Sequence, residues 1–217
     1  MRFLKLSFGW LQAQWLQLNH VTKAAVLQEV FERSVCSSTI KQKEFVLYVG
    51  FSKSGKSTHR RSSTFRDFAG VETTTIHQVI NSAFGLLNDD RSVDGPGYWA
   101  RQWLTRSIRQ KVLHRLCSLG YAVVEDSCNL NLRERGERLA VARQYGYHTT
   151  LIYVSCFEPV LLERLGQFDR ENLKRGLAPT WVDLYLTIQR FRFEAPQFKE
   201  ADTIVHVNSN SIPQRQE

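Results

Sequence analysis

Phe45-Val46-Leu47-Tyr48-Val49-Gly50-Phe51-Ser52-Lys53-Ser54-Gly55-Lys56-Ser57 is the stretch on which the fold turns. Five consecutive apolar residues without polar alternation are what a strand buried on both faces requires. The strand ends at Gly50 and runs into the pattern GxxxxGK[ST], a P-loop: glycines admit a close approach, backbone N–H groups surround phosphate, and a helix follows. An accidental glycine-lysine turn would need no such strand before it. The loop therefore predicts nucleoside triphosphate binding by Gly50, Ser52, Lys53, Ser54, Gly55, Lys56, Ser57 and Thr58. Lys56 is expected to reach the outer phosphates and the Ser57 hydroxyl to hold Mg²⁺. The next residues, His59-Arg60-Arg61-Ser62-Ser63, are polar and basic, and the arginine pair could border the nucleotide or contact a polyanion, with a solvated helix face the simpler reading.

Outward from the loop, apolar runs of strand length recur at 121–124, 150–154 and 203–207, separated by stretches with helical spacing. Strands alternating with helices predict an α/β fold with a central, mainly parallel sheet flanked by helices. Helices are expected at about 98–119, 133–145, 158–165 and 180–193, with a polar, charge-rich segment over 166–179. Residues 1–44 precede the first strand and read as a helical N-terminal extension, with Val26, Leu27, Val30 and Phe31 on one apolar face. Arg2, Lys5, Trp10 and Trp15 give its beginning a faint likeness to a membrane-surface segment, but a helix docked on the domain is the simpler expectation.

The 217 residues suffice for one core without disulfides or structural metal. A hydrophobic fraction of 42% and a charged fraction of 23% are those of a globular protein, and no apolar run reaches the ~20 residues of a membrane helix. Integral membrane association is not expected. Cys36, Cys117, Cys128 and Cys156 form no CxxC pair, which argues against zinc and against a disulfide framework and suits the cytoplasm. A net charge of +8 and a pI near 9.5 fit either a polyanionic partner or simple attraction of a triphosphate.

The run Val123-Val124-Glu125-Asp126-Ser127-Cys128-Asn129 sets an acidic pair at the end of a buried strand, where open parallel sheets bind ligands. Asp126 is the candidate for organising Mg²⁺. Glu125 either shares that task or caps the following turn.

A P-loop followed by Asp126-x-x-Asn129 and by Arg133, Arg135 and Arg138 resembles small P-loop kinases of the polynucleotide-kinase-like and zeta-toxin-like, AAA-type ATP-binding group. The likeness continues through Leu151–Val154, Phe157–Arg164 and the segment with Arg170 and Arg175. It covers roughly 45–207. It implies a three-layer P-loop NTPase fold, with residues 45–217 as a kinase-like domain carrying a lid at about 166–179. It implies an ATP-dependent phosphotransferase moving the γ-phosphate to an acceptor hydroxyl, either a nucleic-acid 5′-OH or a small molecule. Lys56, Asp126, His77 and Arg170 are then the catalytic candidates, Asn129 and Arg133 the acceptor contacts, and Mg²⁺ and ATP the cofactors. Arg101, Arg106, Arg109 and Arg115 on the helix before the acidic strand could guide a nucleic-acid end or form an ordinary exposed face.

One departure stands out. The group carries Asp-x-x-Arg after its second strand, where the Asp is the general base, and the matching stretch here is Thr74-Thr75-Ile76-His77. Glu72 or His77 must then serve as the base, or transfer is lost. The second reading is accordingly an ATP-binding regulatory or nucleic-acid-binding protein whose N-terminal helices make a partner interface.

Overall fold

The computed structural model describes residues 20–35, 38, 40–84, 96–176 and 179–211. Arg2, Lys5, Trp10, Trp15 and Cys36 lie outside these residues. Five strands, β1 (Glu44–Val49), β2 (Ala69–Glu72), β3 (Val123–Asp126), β4 (His148–Ser155) and β5 (Thr203–Asn208), form one sheet in the order β2-β3-β1-β4-β5, and every pairing is parallel. The expected α/β architecture, a parallel sheet flanked by helices, is the architecture observed.

Strand alternation divides the core. Phe45, Leu47 and Val49 of β1 enter one cluster and Val46 and Tyr48 the other, and all five are fully buried. The first cluster is closed by α1 (His20–Val35), α3 (Thr73–Phe84), α4 (Pro96–Ser118) and α5 (Leu132–Gln144), through Val30, Ile76, Ile80, Leu104, Ile108 and Leu139 among others. The opposite face is covered by α2 (Lys56–Ser62) and the short turn Thr64–Asp67, where Phe65 and Phe68 pack against Val46, Tyr48 and Val124. Each large apolar side chain so buried contributes about 1.5–3 kcal/mol. Helix α1 is part of this core: Val26, Val30 and Phe31 are buried, as the spacing of its apolar residues predicts, and Leu27 packs beside them.

Three elements differ from expectation: strand β2, helix α3, which no expected helix covers, and the helix that follows β4. Strand β2 falls in the weakly patterned stretch after the P-loop; Ala69-Gly70-Val71-Glu72 is too short and too poor in β-branched residues to signal a strand. Helix α6 (Glu158–Lys174) runs through most of the segment read as a lid, ending at Gly176 with φ 72°. Beyond it, α7 (Trp181–Leu184), a π-helical turn (Tyr185–Gln189) and α8 (Arg190–Arg192) form one helical run, and Leu161, Leu165, Tyr185 and Phe51 make a third small cluster. Among the described residues no helix is long and apolar enough to cross a membrane.

Candidate nucleotide site at the strand ends

Parallel strands β2, β3, β1 and β4 all end on the same side of the sheet, and the P-loop leaves the end of β1 there. Gly50 (φ 148°) and Gly55 (φ 101°) adopt backbone conformations that side chains resist, and Lys53 (φ 63°) takes the left-handed region between them. A Cβ at Gly50 would sit 2.5 Å from the Val154 carbonyl oxygen and 2.8 Å from Ser54 Oγ. The cradle therefore tolerates no methyl at its first position. The Gly50 N–H donates to the Cys128 carbonyl at 3.0 Å, which fastens the loop to the segment after β3.

Lys56 lies under the loop, its ammonium donating to the carbonyls of Gly50 (3.1 Å) and Phe51 (2.6 Å). Ser57 is exposed at the start of α2 and its hydroxyl hydrogen-bonds to Asp126. Asp126 is 9% exposed, and burial raises its carboxyl above the ordinary aspartate value, opposed by Lys56, Ser57 and Arg60 and reinforced by Glu72. A carboxylate that burial disfavours, beside a hydroxyl and an ammonium, is suited to a divalent cation that restores its charge. Among the described residues no group of three or more His, Cys, Asp or Glu side chains gathers. One hydroxyl and one carboxylate are nonetheless the protein ligands Mg²⁺ uses when phosphate oxygens and waters complete its shell. The strained cradle, Lys56 and the Ser57–Asp126 pair all fit a Mg²⁺-bound nucleotide.

Glu125 belongs elsewhere. Alternation turns it to the other face of β3, where it is fully buried with Arg109 Nε at 3.1 Å and Arg138 Nε at 3.5 Å, and the Ser127 hydroxyl donates to it at 2.6 Å. The shared-metal role considered for it does not hold, because its carboxylate joins α4 and α5 to the sheet instead of facing the loop. The arginines of α4 divide: Arg101 and Arg109 are buried, Arg109 paired with Glu125, whereas Arg106, paired with Glu137, and Arg115, 4.0 Å over the Phe31 ring, are exposed. An exposed helix face therefore describes Arg106 and Arg115 and not Arg101 and Arg109.

At the end of β2, Glu72 stands in register with Asp126 on β3. Arg60 of α2 joins them, hydrogen-bonded to Glu72 and 4.0 Å from Asp126 Oδ2. Its side chain is 11% exposed, so the solvated helix face read from the sequence is corrected at this position. A Cβ at Gly70 would overlap the Arg60 guanidinium, and glycine there lets the arginine lie against β2. The Glu72 side chain keeps 41% of its surface exposed.

The remaining expected site residues are scattered. His77 lies in the first turns of α3, partly buried, on the side of the helix that carries Thr73 and Ile80; Thr74 is exposed. Thr58 is partly buried in the first turn of α2. Asn129 (φ 48°) is 2% exposed, its amide donating to the Tyr48 carbonyl at 2.8 Å and to Glu125. It is turned inward, which removes it from the acceptor contacts. Arg133 is 82% exposed at its side chain, 3.3 Å from Glu137. With Arg106, Glu134, Phe191 and Arg192 it lines a cleft of about 450 Å³. Arg170 is exposed and folds back beside Gly166 of its own helix. Arg164, by contrast, is buried near Gly55 and donates to the Ser209 carbonyl at 3.0 Å. Its sequence signal was a charge set between the buried Leu161 and Leu165.

The AAA domain family matches residues 45–180, well over half of the chain. No curated protein matches the sequence. A chain from the PezAT chromosomal toxin–antitoxin system of the human pathogen Streptococcus pneumoniae superposes with a TM-score of 0.56 at 15% identity, covering 73% of this chain and 67% of that one. A protein of Chloroflexus aurantiacus described as a candidate kinase gives a TM-score of 0.56 at 16% identity, covering 82% of this chain and 91% of that one. At such identities the likeness is one of fold, and both folds are built like this one. With the match beginning at β1 and running through the P-loop, the acidic strand end and α6, the chain belongs to the AAA domain family of P-loop nucleotide-binding proteins.

Proposed function

We propose that this chain is an ATP-dependent phosphotransferase of the polynucleotide-kinase-like and zeta-toxin-like kind, with Glu72 as the general base. The observation that carries the reading is the second carboxylate: Glu72, in register with Asp126 on the neighbouring strand and partly open to solvent, is tied through Arg60 to the helix that follows the phosphate loop.

In this reading the loop amides and Lys56 hold the phosphates, and Ser57 and Asp126 hold Mg²⁺, which when bound neutralises charge on the outer phosphates. Glu72 accepts the proton of an acceptor hydroxyl as the acceptor oxygen bonds to the terminal phosphorus and the bond from that phosphorus to its bridging oxygen breaks, releasing ADP. Arg60 lies between Glu72 and Asp126 and pairs with both, which fixes the position of the Glu72 carboxylate. The acceptor enters across the cleft lined by Arg106, Arg133 and Arg192, whose exposed Phe191 offers a ring face. Both a nucleic-acid 5′-OH and a small molecule suit such a cleft.

Transfer of label from γ-³²P ATP to a panel of 5′-hydroxyl oligonucleotides, nucleosides and sugars tests the reading. Acceptor-dependent transfer, abolished by Lys56→Ala and reduced about 10²–10⁴-fold by Glu72→Gln, is expected. A second reading, nucleotide-dependent binding without transfer, is favoured by the Arg60–Glu72 pair, since an ion-paired carboxylate is a weak base. ATP affinity with no transfer to any acceptor would select it.

A further inference from the structure

Phe51 and Ser52 of the phosphate loop grip the downstream helical run, and Lys53 lies between its first residue and α6. The Phe51 ring packs on Tyr185 and Phe193, with centroids 5.1 Å and 5.0 Å away. The Ser52 N–H donates to Gln189 Oε1 at 3.0 Å, and Gln189 Nε2 donates back to Ser52 Oγ at 2.6 Å. The Lys53 ammonium lies 3.3 Å above the Phe168 ring and 4.9 Å from that of Trp181. Gln189 is 6% exposed and closes the π-helical turn Tyr185–Gln189. Such turns are rare and recur at functional sites.

Ser52 stands at the outer-phosphate end of the loop. Lys56, the group that reaches the outer phosphates of a triphosphate, has its ammonium 2.6 Å from the Phe51 carbonyl, one residue away. Cys128 Sγ spans the same short distance, 3.4 Å from Ser52 Oγ and 4.0 Å from Lys56 Nζ. The N–H taken by Gln189 is thus one for which a terminal phosphate oxygen competes. An amide is suited to such a place: a carboxylate would repel the phosphate and a cation would hold it, whereas a neutral acceptor can be displaced.

We propose that Gln189 is a specificity-determining latch through which this chain distinguishes a nucleoside triphosphate from a diphosphate. With the latch closed, Gln189 occupies Ser52 and the run 181–192 is bound to the loop. A terminal phosphate takes the Ser52 N–H, Gln189 withdraws, and the run loosens. A diphosphate stops short of Ser52 and leaves the latch closed. The run carries Arg190 and Arg192, paired with Glu158 at 3.6 Å and Glu134 at 2.5 Å, so opening also frees the cleft wall formed by Phe191 and Arg192. The inference rests on the nucleotide-binding reading above.

Calorimetry and hydrogen exchange on the full chain, with ADP and with a non-hydrolysable ATP analogue, test it. In the wild type, exchange at 181–192 should rise with the triphosphate analogue and not with ADP. Gln189→Met keeps the length of the side chain and loses both hydrogen bonds. It should bind the analogue about tenfold more tightly, the equivalent of one net hydrogen bond, bind ADP as the wild type does, and show raised exchange at 181–192 without nucleotide. Equal exchange with the two nucleotides in the wild type, which needs no variant, would overturn the latch while leaving nucleotide binding intact. An equal change in both affinities in Gln189→Met would do the same. A wild-type chain that binds neither nucleotide would overturn the underlying reading and the latch with it.

Discussion

Alternation along β3 sends Glu125 toward α4 and α5 and Asp126 toward Lys56 and Ser57, so two adjacent acids enter opposite environments. For Asp126 burial dominates and raises the folded-state pKa, which means the folded chain binds a proton that the unfolded chain has released. Stability then falls as pH rises from the ordinary aspartate range through that raised value. Asp126→Asn removes this penalty. Its melting temperature at neutral pH should exceed the wild type's, while Mg²⁺ should no longer strengthen nucleotide binding. Calorimetric melting, with nucleotide titrations at two Mg²⁺ concentrations, reads both effects. His59 gives the opposite pH slope. Its Nδ1 lies 2.8 Å from the buried Tyr48 hydroxyl, and burial lowers its pKa, so the fold favours the neutral ring. Stability should fall as pH drops below about 6.5, toward the lowered folded value. Urea melts between pH 5 and 8 should show that slope in the wild type and lose it in His59→Gln.

Elements are joined here by buried charge as much as by apolar packing. Glu125 links β3 to α4 through Arg109 and to α5 through Arg138, and both arginines are 7% exposed. Burial pulls the Arg109 guanidinium down to about 10 despite the Glu125 charge. Glu125→Gln leaves two buried cations without their counter-charge and should cost about 3–5 kcal/mol, lowering the melting temperature by on the order of 10 °C. Its Mg²⁺ dependence should be that of the wild type, in contrast to Asp126→Asn. A second such tie is Arg135, fully buried, whose guanidinium donates to Glu200 Oε2 at 2.6 Å and to the Leu130 carbonyl at 3.1 Å, fixing the loop after β3.

Legibility in the sequence follows the same divide. β1, β4 and the helices other than α3 carried continuous apolar runs or helical spacing, and the P-loop carried its pattern inside one stretch of chain. β2 has four residues and no pattern, so the sequence offered Glu72 only as a substitute base beside His77; what recommends that carboxylate is its register with Asp126, a fact of sheet order. Arg60, Arg164 and Gln189 were hidden for a related reason, since each acquires its meaning from a partner on another element.

For the whole molecule, helix α1 decides whether residues before β1 are an attachment or part of the core. Phe31 is 8% exposed, meets Tyr121 edge to face at 6.3 Å, and lies under the Arg115 guanidinium. Phe31→Ala should therefore cost about 3–5 kcal/mol, with unfolding still a single transition by circular dichroism and tryptophan fluorescence. A loosely attached helix would give almost no loss or a separate early transition. The net charge of +8 takes on a different meaning once the arginines are located. Arg60, Arg106, Arg109, Arg135, Arg138 and Arg192 all pair with acids inside the molecule. Much of the basic composition is spent on holding the strand ends and their helices together.

That arrangement converges on one site, the loop from Gly50 to Ser57 with Asp126 beside it, and equilibrium binding of ATP tests it most directly. Titration calorimetry should show Mg²⁺-strengthened ATP binding to the wild-type chain and a loss of about a hundredfold or more in Lys56→Ala, as removal of a charged phosphate contact entails. Equal ATP affinity in the two proteins, or none in the wild type, would contradict the account.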